Sequence, residues 1–150
     1  MNQIVLGLGS NLGDRAANLS NACNLLEKYL GKIIKKSSII ETVAWGFESE
    51  NKFFNSVIVI ETLHNPFKAL EICLDIEKQL GRLRINSKTK EYHSRTIDID
   101  ILFYNDLIIE DLNLQIPHPL ICHRNFVLLP LKEILPDFLH PQINKKIKDI

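Results

Sequence analysis

Asp98 and Asp100 flank Ile99 in a run of β-branched residues. On an extended strand, positions i and i+2 point to the same side, with Cα atoms roughly 6.5–7 Å apart. Two carboxylates held side by side repel each other unless a cation lies between them. Few, hard oxygen ligands suit Mg²⁺ that also carries phosphates and water. The plain alternative is a polar strand edge that faces water. Against it, the other face (Ile97, Ile99, Ile101, Phe103) is wholly apolar, and Leu102 and Tyr104 continue the acidic face.

The stretch 82–96 just upstream carries Arg82, Arg84, Lys88, Lys90 and Arg95 against a single Glu91, with no apolar periodicity. It reads as an exposed, mobile, basic loop. Guanidinium forks bind phosphate oxygens in pairs, so a carboxylate doublet beside arginines makes sense with a polyphosphate between them. A solvated charged loop with local ion pairs is the bland reading of the basic run alone. Glu77 falls within the helical stripe Phe67–Leu70–Leu74, where a lone carboxylate is costly, so an arginine near the helix end is its expected partner. Phe53 and Asn55 share a strand face and set an aromatic platform beside an amide that can both donate and accept. His118, in a Pro-His-Pro turn, is the histidine to test for phosphate contact; the other four of the five are read as structural. The segment Gly7-Leu8-Gly9-Ser10-Asn11-Leu12-Gly13 misses the dinucleotide-binding spacing, and no phosphate-loop motif is present.

The elements that must position these groups follow from periodicity. Residues 4–8 read as a buried first strand, 9–14 as a turn with Asp14 as N-cap, and Leu19 to Leu30 as a helix capped by Gly31. Residues 32–42 form a second strand and 53–61 the clearest strand, with Phe53, Asn55, Val57 and Val59 on one face. Asn65-Pro66 opens a second helix with the stripe Phe67, Leu70, Cys73, Leu74 and Leu80, ended by Gly81. Strand 97–104 follows, then an Asn105-Asp106 turn and a partner strand at 107–109. A third helix spans 123–129 and stops near Pro130, and the tail is peripheral. The order strand, helix, strand, strand, helix, strand is a split βαβ pattern. It implies an α+β fold with an antiparallel sheet flanked by helices, in one domain over 1–150.

Composition sets the outer bounds. Hydrophobic residues make up 45% of the 150 and charged residues 24%, as in ordinary globular proteins. Lys+Arg and Asp+Glu both number 18, which disfavours a whole-surface nucleic-acid or membrane binder and leaves room for a basic patch. The three cysteines, Cys23, Cys73 and Cys122, are isolated among apolar residues and read as reduced, mostly buried thiols. No apolar run is long enough to span a bilayer, so the cytoplasm is the expected compartment; a monomer is expected.

Taken together, these residues resemble 6-hydroxymethyl-7,8-dihydropterin pyrophosphokinase of folate biosynthesis over nearly the whole chain. The resemblance rests on Gly9-Ser10-Asn11-Leu12-Gly13-Asp14, Phe53-Phe54-Asn55, and Glu77 followed by Gly81-Arg82-Leu83-Arg84. It continues through Arg95-Thr96-Ile97-Asp98-Ile99-Asp100-Ile101-Leu102, Pro117-His118-Pro119 and Arg124-Asn125-Phe126. It implies a ferredoxin-like βαββαβ fold and transfer of the pyrophosphoryl group of ATP to the pterin hydroxymethyl group, with release of AMP. By the same resemblance, Asp98 and Asp100 hold two Mg²⁺ ions, and Arg82 and Arg95 join them in catalysis. Glu77, Arg84, Ile101 (through its backbone), Gln115, His118 and Arg124 bind ATP. The pterin stacks between Phe53 and Phe126, and Thr42, Val43, Ala44, Trp45, Asn55 and Tyr92 complete its site.

Two stretches depart from the family pattern. Val43-Ala44 replace a frequent proline, and Glu91-Tyr92-His93-Ser94-Arg95 replaces an Arg-Trp-Gly-Pro-Arg run. That leaves Lys88 and Lys90 both open as substitutes for the missing arginine. Without the resemblance, the residues also admit a ferredoxin-like module that grips nucleic acid or a small effector with the basic loop. The facing carboxylates speak against it, since without metal they repel phosphate.

Overall fold

The computed structural model describes residues 1–42, 52–81 and 96–150. Expectations that fall on Val43, Ala44, Trp45, Arg82, Arg84, Lys88, Lys90, Tyr92 and Arg95 lie outside the described residues.

The core is β1 (Asn2–Ser10), α1 (Arg15–Tyr29), β2 (Gly31–Lys36), β3 (Ile40–Thr42), β4 (Phe53–Thr62), α2 (Pro66–Gln79) and β5 (Asp98–Tyr104). Beyond it come a hairpin of β6 (Ile109–Glu110) with β7 (Gln115–Ile116), and α3 (Asn125–Ile134). The main sheet runs β2-β4-β1-β5, every pair antiparallel, with β3 also paired to β4. Each βαβ unit is split by the insertion of another strand between its parallel members, as the α+β, ferredoxin-like reading expects. Both helix starts follow from local chemistry. The Asp14 carboxylate accepts from the Ala17 N–H, and the Asn65 side chain from the Lys68 N–H, with Pro66 at the first helical position.

The sheet has two faces. Ile4, Leu6, Leu8, Ile58, Ile60 and Ile99 pack with α1 and α2. Val5, Val57, Val59, Leu102 and Phe103 pack with Val127, Leu128 and Leu131 of α3. A register shift where Val5 faces Phe103 and Leu6 faces Ile101 leaves Leu102 as an extra residue in β5. The alternation read from sequence therefore reverses after Leu102. Phe103 joins the α3 face, and Tyr104 joins the α1/α2 face, where its hydroxyl donates to the His64 carbonyl.

Several expectations are corrected. Gly31 is not a helix cap: Leu30 caps α1 and Gly31 opens β2, where a Cβ would run into the Glu61 carbonyl. The strand expected over 32–42 divides, because Ser37 ties itself to Val57 through backbone and hydroxyl bonds and re-aims the chain. The buried stripe of α2 is Ala69, Cys73, Ile76 and Glu77, while Phe67 and Leu74 are half exposed; small side chains, not the largest ones, let the helix approach. Leu107 does not begin a partner for β5. Asn105 bonds back to Gln3 instead, and β6 pairs with β7. Pro130 does not stop α3 but is buried inside it, so packing against the sheet outweighs one lost backbone bond. The tail is part of the core: Ile147 is fully buried, and His140 packs edge-on to Phe103. Cys122 is exposed, unlike Cys23 and Cys73.

Gly31→Ala should lower unfolding free energy by about 2–3 kcal/mol, because backbone rather than a flexible side chain blocks the new methyl. Gly7→Ala, which meets only the Leu102 side chain at 3.5 Å, should stay within about 1 kcal/mol of the parent. Denaturant unfolding of both variants measures the contrast.

Candidate active site

Strand register assembles the site on the α3 face. Gly9 pairs with Asn55 on one side and Asp98 on the other; Gly7 pairs likewise with Val57 and Asp100. Directly opposed residues share a face, so both aspartates point to the side of Asn55 and, two residues back, Phe53. The central strand contributes only glycine to these two rows. The result is a trough whose floor carries no β1 side chain and whose banks lie two strand spacings apart, roughly 9.5 Å; Leu102 reaches over Gly7, and Gly9 is buried beside Asn55 and Phe53. The floor is tightly set: a Cβ on Gly9 would stand 2.9 Å from Asn55 Oδ1 and 3.6 Å from a Phe53 ring carbon.

On the acidic bank, β5 is the edge of the main sheet among the described residues. The Ile99 N–H donates to Glu77 Oε2 at 2.7 Å. Glu77, 3% exposed, therefore fixes the residue between the two aspartates from α2, and its carboxylate satisfies a strand-edge donor. Arg124, at the start of α3, brings Nη1 to 3.8 Å from Asp100 Oδ2 and stacks its guanidinium 5.5 Å from the Phe126 ring centroid. The His118 N–H donates to the Leu102 carbonyl, tying the Pro-His-Pro turn to β5. His118 Nδ1 accepts from the Leu120 N–H at 3.1 Å, so the ring proton sits on Nε2. Burial and then the Arg124 charge hold His118 below the ordinary imidazole range, against an upward pull from Asp98. It is a neutral donor at pH 7. Cys73, behind β5, is pushed up to about 12 by burial and the Glu77 and Asp100 charges, and is an inert thiol.

On the other bank, Asn55 is 5% exposed and its Nδ2 donates to Thr42 Oγ1 at 2.8 Å, which turns Oδ1 toward Gly9. Phe126, half-buried on the first turn of α3, packs against the cluster beneath that face. The fold thus places Asp98, Asp100, His118, Arg124, Thr42, Phe53, Asn55 and Phe126 around one face. Ile101 turns its side chain to the helical side, leaving its backbone at the edge strand. Gln115 is exposed on β7, which packs against β5. Gly81, at a left-handed φ of 107°, lies against Thr96, so the described ends on either side of 82–95 meet beside β5. In the sequence, Gly7 and Gly9 make a poor dinucleotide match, and Gly9 opens the 9–14 turn and the family motif. Their i, i+2 spacing opposite Ile4, Leu6 and Leu8 was the available signal for a glycine row on one strand face.

No group of three or more His, Cys, Asp or Glu among the described residues is gathered to hold a metal. Two same-face carboxylates nevertheless fit Mg²⁺, which takes one or two of them and fills its shell with phosphate and water oxygens.

A family model for 7,8-dihydro-6-hydroxymethylpterin-pyrophosphokinase matches residues 5–136. The chain belongs to that family. A Porphyromonas gingivalis 2-amino-4-hydroxy-6-hydroxymethyldihydropteridine pyrophosphokinase is 40% identical over 140 residues, 93% of this chain and 94% of that one. A Bacillus subtilis relative of the same name is 43% identical over 136 residues, covering 89% and 79%. The fold is shared with a Plasmodium falciparum HPPK-DHPS structure at a TM-score of 0.81 and 23% identity. That match covers 99% of this chain but spans 44% of the longer one. This chain is accordingly a pyrophosphokinase.

Within the family's scaffold, Glu77 positions β5. Glu77→Ala should leave the Ile99 N–H buried without its acceptor and cost about 1–3 kcal/mol, with faster amide exchange at Ile99. Glu77→Gln keeps a carbonyl acceptor and should lose less.

Proposed function

We propose that the trough is where the pyrophosphoryl group of ATP passes to the hydroxymethyl oxygen of 6-hydroxymethyl-7,8-dihydropterin, releasing AMP. The observation that carries this reading is the glycine row of β1 between a carboxylate bank and an aromatic-amide bank on one sheet face. Triphosphate belongs on the first bank and a flat heteroaromatic ring on the second. The pterin hydroxyl oxygen forms a bond to the β-phosphorus and gives up its proton to solvent, and the bond from that phosphorus to the bridging α,β oxygen breaks, leaving AMP. Such a loose transition state needs alignment and charge stabilisation more than a strong base.

Asp98 and Asp100 would hold two Mg²⁺ ions, which when bound neutralise phosphate charge. Arg124 then exchanges a carboxylate contact for a phosphate one, and His118 Nε2–H donates to a phosphate oxygen. Glu77, Ile101 and Gln115 serve ATP binding. Phe53 and Phe126 stack the pterin while Asn55, oriented by Thr42, reads its polar edge. Arg82, Arg84, Arg95 and Tyr92, with Val43, Ala44 and Trp45, belong to the same reading by family resemblance. The chain acts as a cytoplasmic monomer of one domain, and among the described residues no helix is long and apolar enough to cross a membrane.

An AMP-release assay with ATP, Mg²⁺ and the hydroxymethyl-dihydropterin tests the reading, and turnover should vanish on chelation. Asp98→Ala and Asp100→Ala should fold and lose about 10²-fold or more in kcat, the scale of removing one charge-stabilising group from a transition state. A folded Asp98→Ala enzyme with near-normal turnover at low Mg²⁺ would remove the metal from the account.

A further inference from the structure

Arg15, the first residue of α1, has no part in the chemistry above, yet it ties together two strand ends. Its Nη1 donates to Glu41 Oε2 at 3.0 Å and to the Lys52 carbonyl at 2.7 Å. Its guanidinium carbon lies 4.0 Å from the Phe54 ring centroid, a cation–π contact. Glu41 and Phe54 are register partners across β3 and β4, and Lys52 immediately precedes β4. The contacts lie on the helical face, behind the trough. The alternate positions of the same register, Thr42 with Phe53 and Ile40 with Asn55, face the trough.

β3 has three residues and is joined to the sheet through β4. At three described residues it has few ladder bonds, so contacts from outside the ladder add to its hold. An exposed Arg–Glu pair alone adds little. Here the same guanidinium also bonds a backbone carbonyl and covers a ring, so it fixes both strands at once. On the other face, the Asn55–Thr42 bond spans those two strands and aims the Asn55 amide.

We propose that Arg15 is a positioning residue for the acceptor: it braces the β3–β4 end from the rear, so that Thr42, Phe53 and Asn55 present a fixed edge to the pterin. The proposal rests on the acceptor reading of those residues. Steady-state kinetics in both substrates test it, with thermal unfolding in parallel. Arg15→Ala should raise KM for the hydroxymethyl-dihydropterin about tenfold, with KM for ATP and kcat changed less than about twofold, since misplaced acceptor contacts leave the donor bank intact. Arg15→Lys should restore only part of the loss, because an ammonium can replace a hydrogen bond but not the planar stack. Should Arg15→Ala fail to fold, Arg15→Lys carries the same test with a smaller shift in the same KM alone. An unchanged pterin KM, or an equal rise in both KM values, overturns the proposal. No AMP release by the parent enzyme would instead bring down the acceptor reading beneath it.

Discussion

Everything at the site depends on the end of one strand carrying glycine on one side and apolar side chains on the other. β1 turns Ile4, Leu6 and Leu8 to the helices and Gly7 and Gly9 to the opposite face. The apolar side anchors the middle of the sheet; the glycine side puts no side chain between the two flanking strands. The register then does the rest, because each glycine is flanked by one bank of each kind. A side chain at position 9 would displace Asn55, whose amide is oriented by its bond to Thr42. The tolerance there is tenths of an ångström, set by backbone position rather than by any loop.

The acidic bank carries the electrostatic cost. Two carboxylates lie side by side on an edge strand, and the fold answers from several directions. Arg124 approaches Asp100 from α3, Glu77 pins the intervening backbone N–H from α2, and His118 is held neutral beside them with its donor proton on Nε2. A neutral imidazole adds no repulsion toward Mg²⁺ and still offers a hydrogen bond to phosphate. The bulge at Leu102 belongs to the same design. It lets β5 present aspartates at its start and then place two successive apolar residues, Leu102 and Phe103, under α3.

Much of this was legible in the residues. The Asp98/Asp100 doublet, the Phe53 and Asn55 face and the βαββαβ order all follow from the period of two and from helix-start chemistry, and the fold has them as expected. The misses share a cause: sequence patterning sees size and polarity but not close approach. Ala69, Ile76 and Glu77 share the buried side of α2 with Cys73, so of the stripe Phe67, Leu70, Cys73, Leu74 and Leu80 the members Phe67 and Leu74 turn outward while Leu70, Cys73 and Leu80 pack on the core. Gly31 and Pro130 were read by propensity, whereas a neighbouring carbonyl and the packing of a buried ring decide their places. The bulge in β5 and the brace at Arg15 arise from pairing between distant segments, which no local window contains.

The central claim is that donor and acceptor meet across the glycine floor on the α3 face. A crystal structure with Mg²⁺, a non-hydrolysable ATP analogue and the hydroxymethyl-dihydropterin tests it most directly. The account predicts triphosphate oxygens and metal at Asp98 and Asp100, with the pterin ring beside Gly9 between Phe53 and Phe126. A pterin bound on the α1/α2 face, or metal held away from both aspartates, would contradict it.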